Sequence, residues 1–87
     1  MRITELAKRF SVTTDQIRYL ERKGYIESTW TQLDKRRIRY YPEREINKLE
    51  FLIKYLDQGF RYDIAYQKTI EEIQNPRFME DLSSTRL

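Results

Sequence analysis

Thr13-Thr14-Asp15-Gln16-Ile17-Arg18-Tyr19-Leu20-Glu21-Arg22-Lys23-Gly24 is the stretch from which the rest of the 87-residue chain can be read. Thr13 offers a hydroxyl to an orphan amide, and Gln16, three residues on, can reach back to the cap, which is the capping-box spacing. Gly24 supplies the stop. At about 100° per residue Ile17 and Leu20 point one way, whereas Asp15, Arg18, Tyr19 and Arg22 gather on the other side. The segment is therefore a short helix with one core-facing edge and one basic, aromatic face turned outward.

Working towards the N-terminus, Thr4 predicts a cap for a helix over Glu5–Phe10, with Leu6, Ala7 and Phe10 as its apolar face. Ser11-Val12 then makes a tight connection, with Val12 plugging the corner. Two turns of helix, a short turn and a second capped helix have the spacing of a helix-turn-helix. Working towards the C-terminus, Tyr25 and Ile26 return to the core. Thr29-Trp30-Thr31 and Ile38–Tyr41 read as two strands, with Leu33-Asp34-Lys35-Arg36-Arg37 as a long hairpin tip. A basic β-ribbon beside such a helix is a wing, able to lay its cations along phosphates or in a minor groove.

Pro42 at a first helical position, followed by Glu43 and Glu45, opens a long helix closed by Gly59, with Ile46, Leu49, Leu52, Ile53 and Leu56 in one stripe. Phe51 and Tyr55 flank that stripe. A last helix is predicted over Tyr62–Gln74, presenting Tyr62, Ala65, Tyr66, Thr69, Ile70 and Ile73, and ended by Asn75-Pro76. The tail after Pro76 offers Phe78, Met79 and Leu82 as its apolar residues and ends in a Ser-Ser-Thr-Arg-Leu stretch expected to be loose. The expected fold is mainly α with a small β-hairpin, a winged helix-turn-helix of about four helices. Residues 1–76 form the domain and residues 77–87 a short tail.

Composition narrows the function. With 39% hydrophobic and 36% charged residues the chain is a well-solvated globule rather than a disordered one. The absence of cysteine and histidine removes disulfides, thiol and imidazole catalysis and most transition-metal sites. No nucleophile–base set or phosphate loop can be assembled, so no enzyme, catalytic residue, metal or cofactor is expected. No apolar run approaches the ~20 residues that span a bilayer, and neither a signal peptide nor a membrane partner is expected, leaving the cytoplasm as the default. Residues 1–41 carry ten cations against five carboxylates, whereas the remainder nets −2. One basic half is the footprint of a surface that meets a polyanion.

The candidate contacts to double-stranded DNA are Thr13, Thr14, Asp15, Gln16, Arg18, Tyr19, Arg22, Lys35, Arg36, Arg37 and Arg39. Arg18 and Arg22 can reach a guanine edge or phosphates, or can be a solvated pair answering Glu21 or Asp15. Thr14 and Gln16 lie where helix amides meet a phosphate. Tyr19 can donate to a phosphate or simply cover Phe10. Asp15 can cap its helix or accept from a cytosine amino group. Lys35, Arg36, Arg37 and Arg39 can neutralise phosphates, whereas Trp30 and Tyr41 read as core or wing-anchor residues.

Three ordered blocks resemble the DNA-binding domain of the MerR (mercury-resistance regulator) family of bacterial transcription factors. They are Ile3-Thr4-Glu5-Leu6-Ala7-Lys8 with Val12; Ile17-Arg18-Tyr19-Leu20-Glu21-Arg22-Lys23-Gly24-Tyr25-Ile26; and Arg39-Tyr40-Tyr41 with the acidic start of the next helix. Gly59-Phe60 falls where the family turns before its fourth helix. The resemblance implies a recognition helix in the major groove, a wing on flanking backbone and a dimer on a pseudo-palindrome. Lys35, Arg36 and Arg37 depart from the family's tip glycines, and Asp15 stands where many members have a neutral or basic contact. Eleven residues follow Pro76, roughly 16 Å if wholly helical. The expectation is therefore a short form without dimerisation helix or effector domain, using no small-molecule effector and pairing on DNA as a homodimer or cooperative assembly. An excisionase-like or architectural DNA-binding factor is the related alternative. A protein-interaction module using Phe51, Tyr55 and Tyr66 is the alternative of a different class.

Overall fold

A computed structural model of the chain describes residues 1–75, in the order α1 (Ile3–Phe10), α2 (Thr14–Arg22), β1 (Thr29–Leu33), β2 (Arg36–Tyr40), α3 (Glu43–Asp57) and α4 (Tyr62–Gln74). Four helices and a two-stranded antiparallel hairpin make the winged helix-turn-helix that the sequence predicts. Pro76 and the tail residues Phe78, Met79 and Leu82 lie outside the described residues.

The chain divides into two compact units, residues 1–50 and the residues from 51 onward, with α3 running through the division. In the first unit the buried side chains are Leu6 and Ala7 of α1, Ile17 and Leu20 of α2, Ile26 and Tyr41 of the connections, and Glu45, Ile46 and Leu49 of α3. In the second they are Leu52, Ala65 and Thr69, and the Thr69 hydroxyl donates to the Ala65 carbonyl at 2.8 Å. Tyr62, Tyr66, Ile70 and Ile73 complete the α4 face at half burial.

Helix ends explain the compactness of the connections. After α1, Val12 N–H donates to Ala7 O at 3.0 Å and Ser11 N–H to Lys8 O at 3.4 Å. After α2, Tyr25 N–H donates to Leu20 O and Gly24 N–H to Glu21 O; after α3, Phe60 N–H donates to Tyr55 O and Gly59 N–H to Leu56 O. All three are Schellman closures, which need one left-handed residue. Gly24 and Gly59 occupy it at φ 84° and 98°, but Ser11 occupies it at φ 56° and carries a Cβ there. The aromatic contact that accompanies such a closure appears after α3, where the Tyr55 and Phe60 rings meet edge-on at 5.9 Å.

Several boundaries differ from the sequence reading. α1 starts two residues before Glu5, capped by Arg2 without a side-chain bond, so Thr4 lies inside it. The cause is tertiary: Tyr41 N–H donates to Met1 O at 2.7 Å and the Met1 nitrogen donates to Tyr41 O at 3.1 Å, which fixes the chain's entry before any hydroxyl cap can. Of the capping box at α2 only one arm forms among the described residues, Gln16 N–H donating to Thr13 Oγ1 at 3.0 Å. Pro42 lies just before α3, its carbonyl accepting from Glu45 and Ile46.

The hairpin tip is shorter than the five residues predicted. Leu33 pairs with Arg36, leaving Asp34-Lys35 as a two-residue turn, and positive φ falls on Asp34 as in a type II′ turn. Arg36 and Arg37 are thereby strand residues, whereas Tyr41 leaves the strand and enters the core.

Candidate nucleic-acid interface

Because α2 buries Ile17 and Leu20, it turns Asp15, Arg18 and Arg22 to solvent, with Gln16 and Tyr19 half-buried at the margin. The Thr13 hydroxyl is engaged in its cap, worth about 1 kcal/mol to the helix. Thr14 is half-buried at the helix start. Arg18 donates through Nη1 to Asp15 Oδ1 at 3.3 Å across one helical turn. That pair is exposed, so it costs a partner little to separate. Arg22 and Lys23 lie over the Tyr19 ring at 5.6 and 5.7 Å, and the Phe10 ring has its own cation, Arg9, at 5.4 Å.

The wing's cations divide between two faces because strand side chains alternate. Arg37 and Arg39 share a face with Trp30, their guanidinium carbons lying 5.0 and 4.8 Å from its ring centroid. Trp30 is 50% exposed and so is not a core residue; it is a wing platform on which two guanidiniums lie. Arg36 occupies the other face, opposite Leu33, which is 54% exposed. Lys35 stands in the turn. The four wing candidates thus form one stacked pair, one separate cation and one at the tip, rather than a single charged stripe.

Helix and wing are joined by carboxylates that the sequence reading did not single out as site residues. Glu21 Oε1 accepts from the Tyr41 hydroxyl and Oε2 from the Ser28 hydroxyl, each at 2.6 Å, and Arg39 approaches Oε2 at 3.5 Å. Burial first, then the Glu21 carboxylate, pushes the Tyr41 hydroxyl well above the usual phenol range, so at neutral pH it is a donor. One step further in, Glu45 Oε1 accepts from the Glu27 amide at 2.8 Å and from Lys48 at 3.0 Å, and Oε2 accepts from Arg44 at 3.3 Å. This ties the chain leaving α2 to α3. Among the described residues no buried side-chain polar atom lacks a partner.

A signal for both carboxylates is present in the sequence. Glu21 follows Ile17 by four, and Glu45 precedes Leu49 by four and Leu52 by seven, so each falls in its helix's core stripe. A carboxylate in a core stripe needs donors from elsewhere in the fold. Which donors those are, Ser28, Arg39, Tyr41 and Glu27, depends on distant segments and has no local signature.

Arg18, Glu21, Arg22 and Arg39 together line an open groove between α2 and the hairpin. Three guanidiniums against one carboxylate, the latter already occupied by hydroxyls, give this groove a positive character suited to an anionic backbone. Among the described residues no group of three or more carboxylates could hold a metal ion, and no helix is long and apolar enough to cross a membrane.

No curated protein matches the chain. The sequence profile described as MerR HTH family regulatory protein matches residues 1–67, from α1 through the hairpin and α3 into α4. With α2, the hairpin and the groove between them in the same span, the chain belongs to the MerR HTH family of regulatory proteins, which are DNA-binding transcription regulators.

Proposed function

We propose that the chain is a sequence-specific regulator of bacterial transcription, with residues 1–76 as the DNA-binding domain. It sets α2 in the major groove and its hairpin against the flanking backbone or minor groove. In this reading Arg18 and Arg22 reach base edges or phosphates, and Thr14 and Gln16 meet the phosphate nearest the helix start. Tyr19 donates to backbone, and Asp15 accepts from a cytosine amino group once Arg18 has left it. Lys35, Arg36 and Arg37 neutralise phosphates, and Thr13 holds the helix end in place. One α2 offers few base contacts, so discrimination comes from a second copy on neighbouring DNA, as a homodimer or cooperative assembly.

The observation that carries this reading is the open groove in which α2's exposed Arg18 and Arg22 stand beside the base of the arginine-rich hairpin at Arg39. Selection of bound fragments from random duplex DNA tests it, followed by anisotropy titrations over a salt series. A defined motif and affinity falling with salt at about 0.9 logarithmic units per phosphate neutralised are expected. Arg18→Ala is expected to cost about 1–3 kcal/mol and to relax the preference at one base position. Failure to enrich any motif, with no salt-dependent binding, would remove the proposal.

A further inference from the structure

We propose that Glu21 is an internal counter-ion for the wing, occupying Arg39 where a DNA phosphate would otherwise draw it, and so limiting sequence-independent binding. Glu21 is then a positioning residue that sets the wing's sequence-independent affinity, an inference that rests on α2 and the hairpin meeting DNA as proposed above.

The geometry fixes both partners. The carboxylate is anchored by two short hydroxyl bonds, from Ser28 in the loop after α2 and from Tyr41 at the far end of the hairpin. Its side chain is 21% exposed, so it cannot swing into water without abandoning both. Arg39 is confined from two sides, by Glu21 Oε2 at 3.5 Å and by the Trp30 ring at 4.8 Å. For Arg39 to engage a phosphate it would have to leave a half-buried carboxylate uncompensated beside a polyanion, which is unfavourable. Among the described residues no carboxylate holds Lys35, Arg36 or Arg37 in this way. The wing thus has three cations at the disposal of phosphates and one that serves the protein. Limiting the number of phosphates neutralised lowers binding to every sequence alike, which leaves the base contacts of α2 a larger share of the total affinity.

The test uses the full chain, with anisotropy on two duplexes, one recovered by selection from random DNA and one of scrambled order, between 50 and 200 mM salt. Glu21→Gln keeps a side chain of the same shape and an acceptor for Tyr41 but releases Arg39. Its affinity for the scrambled duplex is expected to rise, and its salt slope to steepen by about 0.9, equivalent to about 3.5-fold more loss of affinity across that range. Affinity for the selected duplex is expected to rise by the same factor, leaving the selected-to-scrambled ratio unchanged. Arg39→Ala in the wild-type background is expected to leave the slope unchanged, whereas Arg37→Ala makes it shallower by about 0.9. A merely structural Glu21 would weaken binding to both duplexes without steepening the slope. That result, or a slope made shallower by Arg39→Ala, overturns the proposal. Should Glu21→Gln fail to fold by circular dichroism, the Arg39→Ala slope decides alone. Wild-type protein binding neither duplex would instead refute the interface itself.

Discussion

Replacing Glu45 tests whether a buried carboxylate holds the exit of α2. Its side chain is 4% exposed and faces three donors: the Glu27 amide at 2.8 Å, Lys48 at 3.0 Å with 17% exposure, and Arg44 at 3.3 Å with 76%. Arg44 is too solvated to contribute more than a few tenths of a kcal/mol. The amide bond is charge-assisted and worth about 1.5–3 kcal/mol, and loss of the ion pair with Lys48 at low exposure adds to it. Glu45→Ala is therefore expected to cost about 3 kcal/mol, a large part of the stability of so small a domain. Glu45→Gln retains an oxygen for the Glu27 amide and is expected to cost about 1 kcal/mol. Glu45→Met fills the volume but accepts nothing, and should resemble Ala rather than Gln. Urea unfolding followed by far-UV circular dichroism, with the slope on denaturant unchanged, measures all three. If Ala, Gln and Met fall within about 0.5 kcal/mol of wild type, the carboxylate is not what fastens this loop.

Ser11→Gly removes a Cβ from a left-handed position at φ 56°. It is expected to raise stability by about 0.5–1 kcal/mol, after the greater freedom of glycine in the unfolded chain is subtracted; a lower thermal midpoint would contradict this. The Glu72 carboxylate accepts from the Tyr55 hydroxyl, and that bond, with burial and Glu72's charge, pushes the phenol up to about 12. Since the folded value lies above the unfolded one, the stabilisation is complete below about pH 10 and is lost as pH rises from about 10 to 12. Tyr55→Phe should flatten part of that alkaline decline in unfolding free energy, and an unchanged pH profile would show the bond to be inconsequential. Trp30→Ala unseats the stack shared by Arg37 and Arg39 and is expected to weaken binding to DNA of any sequence while leaving the selected motif unchanged; a changed motif would place Trp30 on the bases.

Local chemistry is why so much of the architecture is legible before any coordinates. Thr13 and Gly24 bracket α2 because a hydroxyl before the first turn and a residue free to take positive φ after the last one act over three or four neighbouring residues. Tyr62–Gln74 reads correctly for the same reason, its stripe of Ala65 and Thr69 repeating at the helical period. The hairpin is legible as a hairpin but not in its register. A type II′ turn normally advertises itself with glycine, and here Asp34 takes the positive φ instead, so no glycine marks which two residues make the turn.

By itself, then, the sequence determines the order of elements, their inner faces, the basic outer face of α2 and the placement of positive charge in residues 1–41, because each depends on periodicity or on neighbours within a turn or two. Tertiary structure alone decides where α1 begins, through the pairing of Met1 with Tyr41. It also decides which wing cations stack on Trp30 and which one Glu21 holds. The bonds that fasten these segments join donors and acceptors 18 to 40 residues apart, Glu27 with Glu45, Glu21 with Tyr41, Met1 with Tyr41. A residue can advertise locally that it needs a partner, as a carboxylate in a core stripe does, but the partner's identity is set only when the chain brings them within hydrogen-bonding distance.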